Sequence, residues 1–419
     1  MDMRIAAVAA AVTLVVVGGG FAATTVLGGS GDLAVRWTSD TATSIGANHH
    51  AAAAGRVDGA GYVFAPVSGA GGSDECRLAA LDGATGDTRW RDPVPAEVCT
   101  LHSVADPAMG DFDGDGSPEL LAGSTTEEVV VYDPATGTVE NQFPLDTYAY
   151  TRPVVADLGG DGQREALVVD AGATVFAFRA DGDGPAWRHA LDGNAYAPPG
   201  VGDFTGDGTD EFAVGLGTDR VVLFDAGGDI VWERDAFGES VSWTGTANVA
   251  GDGAAEFVVA TTAGTVAALD GRTGETVWKR SVDEYATVRA VADGDGDGHP
   301  EVYVTARDQQ VRALDGATGD TEWSVEVAAG DAQMMPPASV GDLDGDGDRE
   351  VVAVTNAGRV HVLDAASGRV VATYERDVSV FTHPTLADTD GDGDDEVFVV
   401  YGDGVVVSLD DEDDEDGVR

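Results

Sequence analysis

From residue 31 onward, apolar side chains recur at every second position in short runs. Examples are "EVYVTA" at 301–306, "EVVAVT" at 350–355 and "EVFVVY" at 396–401, and then "TVAALD" at 265–270 and "QVRALD" at 310–315. Runs of this length and period, rich in Val and aromatics and bounded by Gly and Asp, predict β-strands. A turn such as "NAG", "TAG" or "GDG" joins one run to the next. A Thr-Gly turn then leads into a strand with tryptophan: "GATGDTRWRD", "GRTGETVWKR", "GATGDTEWSV". No segment after residue 30 follows a 3.6-residue helical period.

The pattern repeats. Aligned on the residue that opens an acidic turn, the units begin at Asp111, Asp157, Asp203, Asn248, Asp293, Asp342 and Asp388, spaced by 46, 46, 45, 45, 49 and 46 residues. A weaker copy around Asp58 and Gly59 precedes them. Eight units of this period, each with four strands, predict an all-β, eight-bladed β-propeller over residues 31–410, with seven blades as the alternative count. The last unit stops in the acidic tail 411–419 without a tryptophan strand. The segment "AVRWTSD" before the first unit has such a strand and no blade of its own. Trp37 is therefore expected to supply the fourth strand of the last blade, so that the ring has no open edge.

Residues 5–29 carry no charge, which is long enough to span a bilayer as a helix and also suits a secretory signal. Residues 1–30 are thus expected to be a signal peptide or membrane anchor. The remainder would then be exported, either secreted or held at the cell surface. The chain carries 23 Lys and Arg against 75 Asp and Glu, a net charge of −52, and Lys279 is its one lysine. Such a surface repels nucleic acid and anionic lipid. With 43% hydrophobic residues the chain can still build a core, so the charge suits a folded protein of a salt-rich medium rather than disorder. Cys76 and Cys99 are the only cysteines. Bonded on an oxidising side, or left as two structural thiols, they are open to either reading.

The acidic turns read D-x-D-G-D-G-x-x-E, with carboxylates at positions 1, 3, 5 and 9. Calcium takes six to eight oxygens, and alternate residues of a tight turn can aim at one centre. The expected ligands are Asp111, Asp113, Asp115 and Glu119; Asp293, Asp295, Asp297 and Glu301; Asp342, Asp344, Asp346 and Glu350; and Asp388, Asp390, Asp392 and Glu396. A copy with Thr205 at position 3 keeps Asp203, Asp207 and Glu211. Four or five structural Ca²⁺ ions are expected. The loops at Asp157 (Gly159 at position 3), Asn248 and Asp58 are too depleted to bind well. These are not EF-hands, because position 12 is Ala122, Ala353 or Val399 and strands flank the loop.

These loops resemble the calcium loops of FG-GAP and VCBS-type propellers. The "ALDGATGDTEW" segments resemble the tryptophan repeats of quinoprotein (PQQ-like) propellers and of the outer-membrane assembly lipoprotein of that fold. The resemblance implies the fold more than an activity. Trp90, Trp187, Trp232, Trp278 and Trp323 occur one per unit, as packing between blades requires, whereas a quinone needs one platform. Quinoprotein dehydrogenases typically carry a vicinal disulfide that Cys76 and Cys99 cannot supply, so PQQ is not expected. No catalytic constellation stands out. The expected function is a non-enzymatic, extracellular protein- or glycan-binding module, or a surface scaffold. The alternative is an enzyme on the same fold, a PQQ-dependent dehydrogenase or a polysaccharide lyase.

A ligand is expected at the channel mouth opposite the acidic turns. The residues that enter each innermost strand there include His49, Arg152, Tyr196, Trp243, Arg289 and His383, with Tyr150, Tyr285, Met335 and Phe381 nearby. Aromatic rings would stack on a glycan or extended peptide, and the arginines would fix an anionic group.

Overall fold

A computed structural model describes residues 31–330 and 332–411; the apolar segment 1–30 and the acidic tail from 412 lie outside the described residues. Within them run thirty-two strands and one short 3₁₀ turn, Ala96–Val98. No described helix is long and apolar enough to cross a membrane.

Six sheets have four strands each, and an eight-stranded sheet joins two more blades, giving eight blades in all. In blade 1 the order from the channel outward is Ala53–Val57, Ala60–Val67, Arg77–Asp82 and Thr88–Pro93. The second strands, such as Glu165–Val169 and Glu301–Thr305, are buried along their whole length. Their sequence alternation therefore does not mark a solvent face. It marks two different neighbours, because each blade is sandwiched between two others. Only the outermost strands, such as Thr88–Pro93 and Thr321–Glu326, alternate between exposed and half-buried positions. Hydrophobic clusters fill the interfaces. One joins Ala105, Phe112, Leu121 and Phe143 of blade 2 to Ala166, Val168 and Phe178 of blade 3.

The joints between blades explain the tryptophans. Trp37, Trp90, Trp187, Trp232, Trp278 and Trp323 each donate Nε1–H to a backbone carbonyl of the next blade, at 2.6–3.1 Å. Each ring also lies on a glycine of that blade's Thr-Gly or equivalent turn. At Gly319, with φ of +72°, an added Cβ would come within 2.6 Å of Trp278. Only glycine tolerates both that conformation and that approach. Blade 2 has no tryptophan at this position; Asn141 takes its place and donates Nδ2–H to the Ala180 carbonyl at 3.0 Å.

The joint between blades 7 and 8 is built differently. Ala372 stands where the tryptophan would be, opposite Val362 in the blade 7 ladder. Here the outer strand Val370–Glu375 pairs parallel with Gly31–Thr38, Gly31 opposite Ala372 and Asp32 opposite Thr373. On its other edge, Gly31–Thr38 pairs antiparallel with Val406–Asp411, Leu33 opposite Asp411. The N-terminal strand thus completes blade 8, and its Trp37 carries the joint to blade 1 through the Gly83 carbonyl.

Candidate functional site

Each innermost strand runs from one mouth of the channel to an acidic turn at the other. The segments that lead into these strands gather around a cavity of about 540 Å³. His49, Arg152, Tyr196 and Trp243 line it, together with Tyr150 and Phe381. Arg289 and His383 lie deeper, on the walls of two further cavities along the channel, both of which Arg152 also reaches. Tyr285 and Met335 do not line the mouth: Met335 is fully buried, and its neighbour Met334 faces the cavity instead.

His50, His102 and Asp106 hold the mouth together, and the repeat pattern does not single them out as a group. Asp106 accepts hydrogen bonds from His50 Nδ1 and from the Ala51 amide, both at 2.9 Å, and pairs with His383 Nε2 at 3.5 Å. Burial alone would raise its carboxyl, but the bonds from His383 and His50 overcome this and hold it well below the usual carboxylate range. His102 sits on the connection between blades 1 and 2. That connection is pinned by a Cys76–Cys99 disulfide, with Cα atoms 5.6 Å apart, and by Ser103, which donates to Cys76 Sγ at 3.0 Å. Burial, reinforced by His49 and His50, pushes the His102 ring down to about 3. His49 is lowered for the same first reason.

The aromatic rings form a continuous wall. Tyr150 meets His50 at 5.3 Å, His102 at 5.0 Å and Tyr196 at 4.9 Å between centroids. On the far side Trp243 meets His383 edge-on at 6.2 Å. Of the seven tryptophans, Trp243 alone is not spent on a blade joint. The two channel arginines are perturbed by burial. Arg289 falls to about 10, lowered further by Arg152 and opposed by Asp106. Arg152 is likewise lowered by burial and opposed by Asp106. Two guanidiniums crowded around one carboxylate leave a positive surplus in a strongly negative protein.

At the other end of the channel the acidic turns fold as tight Asx-type loops. In the turn at 111–119, Asp111 accepts the Gly114 amide at 2.9 Å and Asp113 the Asp115 amide at 3.0 Å. Buried Glu119 accepts the Phe112 amide at 2.6 Å. One oxygen of each Asp holds the turn, and oxygens of Asp111, Asp113 and Asp115 converge within 4.8 Å of one another; the same holds for Asp293, Asp295 and Asp297, and for Asp342, Asp344 and Glu350. Asp293 Oδ1 is buried with no hydrogen-bond partner. Burial, then repulsion from Asp344 and its neighbours, pushes Glu350 up to about 7 even though the Leu343 amide pulls the other way. An orphaned carboxylate oxygen beside two others, and a half-buried glutamate resisting ionisation, suit an oxygen-ligated cation such as Ca²⁺.

In other turns a guanidinium lies among the carboxylates. Arg179 Nε meets Glu165 at 2.6 Å, and Arg272 meets Asp252 at 2.6 Å. Both turns lack the aspartate at position 3. In blade 8, whose turn is complete in sequence, Arg36 of the closing strand pairs with Asp390 at 2.6 Å and with Glu396. In the turn at 203–211, Thr205 takes position 3 and donates Oγ1–H to Glu211 at 3.1 Å.

The fold is shared with proteins of known structure. BamB from Moraxella catarrhalis aligns over 90% of this chain and 99% of its own, at 13% identity and a TM-score of 0.58. The biofilm matrix protein Bap1 of V. cholerae aligns over 91% of each chain, at 16% identity and a TM-score of 0.68. Quinohemoprotein alcohol dehydrogenase from Comamonas testosteroni aligns over 90% of this chain and 76% of its own, at 14% identity and a TM-score of 0.61. At such identities the likeness is one of fold. No curated protein matches the sequence. A family profile does match, over residues 4–160 and 217–411. On that coverage, the chain belongs to the family described as outer membrane protein assembly factor BamB.

Proposed function

We propose that this chain is a non-enzymatic, calcium-stabilised propeller, exported and either secreted or anchored at the cell surface. It binds an extracellular protein or glycan at its channel mouth. The observation that carries the reading is Trp243. Six tryptophans are committed to blade joints, and the seventh faces a cavity that Tyr150, Tyr196 and Arg152 also line. Flat rings beside a guanidinium suit a glycan or an extended peptide with an anionic group. The convergent carboxylates of the acidic turns support structural Ca²⁺, with Asp111, Asp113, Asp115 and Glu119 as one representative set. Commitment of the repeated tryptophans to joints favours binding over quinone chemistry. Among the structural neighbours, one is described as a biofilm matrix protein and one as a dehydrogenase, so fold alone does not choose between the readings.

The test is retention of the full chain on a panel of immobilised extracellular polysaccharides and surface-protein extracts. Retention should fall at least about tenfold when Trp243 and Arg152 are both changed to alanine. Unchanged retention by a double variant with a normal melting curve would place the binding surface elsewhere.

A further inference from the structure

His49 and His50 lie on the segment that leads into blade 1, and His102 lies on the connection to blade 2. Their rings meet although 52 residues separate the two loops at closest. His49 Nε2 stands 2.6 Å from His102 Nδ1, and His50 Nε2 stands 3.4 Å from the same atom. One nitrogen from each ring falls within 4.8 Å of the other two. We propose that His49 Nε2, His50 Nε2 and His102 Nδ1 bind a divalent first-row transition metal, zinc in the first instance, at the channel mouth.

The hydrogen bonds behind the rings carry the argument. His49 Nδ1 lies 2.8 Å from the Ala47 carbonyl, which can only accept, so Nδ1 holds the proton and Nε2 is bare. His50 Nδ1 donates to Asp106 in the same way, which leaves its Nε2 bare as well. Two lone pairs are thus aimed at His102 Nδ1, which donates its proton to them; a metal would take that proton's place, with His102 in its Nε2–H tautomer. A backbone carbonyl and a carboxylate behind the imidazoles are the outer partners that metal-ligating histidines commonly have. A tetrahedral zinc with nitrogens at about 2.0–2.1 Å sets them about 3.3 Å apart. The His50–His102 distance already meets this. The His49–His102 pair needs to open by about 0.7 Å to reach that spacing. Both of those rings are half-buried on loops rather than locked in strands.

The disulfide gives the third ligand a fixed base. Cys99 is three residues before His102, and Thr100 and Ser103 close the intervening turn through a 2.6 Å bond from the Thr100 amide to Ser103 Oγ. All three rings line the same cavity, so the fourth coordination position opens into it, toward water or a donor group of whatever enters. Imidazole selects zinc, copper or nickel over calcium, which keeps this centre chemically distinct from the carboxylate turns at the far end. The proposal shares the mouth with the binding surface proposed above and does not rest on it, because the metal alone is the probe.

The full chain, stripped by chelator and returned to excess calcium so that the carboxylate turns are filled, is titrated with Co²⁺. One equivalent should bind with the strong visible bands of tetrahedral nitrogen coordination, and Zn²⁺ should displace it. His50→Ala and His102→Ala should each weaken binding at least about 100-fold, and Asp106→Ala about 10-fold, through loss of the bond that holds His50. His189→Ala, on an outer strand of blade 3, should change nothing. If His50→Ala does not fold, His49→Gln on the half-buried loop provides the same comparison. Absence of the tetrahedral bands in the parent chain overturns the assignment. So do bands that persist in folded His49 and His102 variants.

Discussion

His361 sits on the third strand of blade 7, Arg359–Asp364, where blade 4 has Val222 and blade 5 has Ala267. Neither of its ring nitrogens has a hydrogen-bond partner. Burial pushes its pKa down to about 4, aided by Arg359 and opposed by Glu375. The folded ring therefore protonates later than the unfolded one. The stability it permits is full above the unfolded value of about 6.5 and is lost as pH falls toward 4, by up to about 3 kcal/mol. His361→Val should remove this component. Denaturant midpoints of parent and variant should diverge between pH 7 and pH 4.5, with the variant losing less. Parallel losses in the two proteins would mean that His361 is solvated in solution. The seven tryptophans show what single residues disclose. Six recur with the repeat and read directly as joints, while Trp243 breaks the period and reads as a candidate for the mouth. His102 carries no such mark. It is one histidine on an irregular connection, and only folding brings it to His49 and His50.

The closing strand Gly31–Thr38 is the element with the most demands on it. It completes the ladder of blade 8, replaces the missing tryptophan joint to blade 7 with two backbone pairs, and sends Trp37 into blade 1. Trp37→Ala should cost about 3–5 kcal/mol, since the ring is 6% exposed and the Gly83 carbonyl loses its donor. Deleting 31–38 should lower the unfolding midpoint further and promote association through bared strand edges. Deleting 412–419 provides the comparison, with no change expected. Equal midpoints for the two deletions would remove closure from the account. The closure is legible in the sequence, from a blade that lacks a tryptophan strand and a tryptophan strand that lacks a blade. The parallel pairing with Val370–Glu375 is not, because Ala372 signals only an absence and main-chain pairing leaves no side-chain signature. The acidic turns read clearly as loops. The guanidinium among Asp390 and Glu396 does not, since Arg36 is distant in sequence and meets them only in the closed ring.

For the molecule as a whole, the excess of carboxylates sets the conditions of stability. Where three acidic side chains converge in one turn, a bound cation should stabilise the folded state by mass action, about 2.7 kcal/mol per site at a hundredfold excess over the dissociation constant. Chelation at moderate salt should therefore lower the melting temperature by several degrees, and added calcium should restore it. Identical melting curves with chelator and with excess calcium would leave the turns as simple strand connections. One feature of the ring also bears on its manufacture. Leu33 leaves the ribosome with the first of the described strands, and its partner Asp411 with the last of them. No growing chain can finish the circle before the strand Val406–Asp411 has been made. Such non-local pairing is slow, so the first strand must wait unpaired until its partners in blades 7 and 8 have been made, and a chain cut short before then keeps two raw edges.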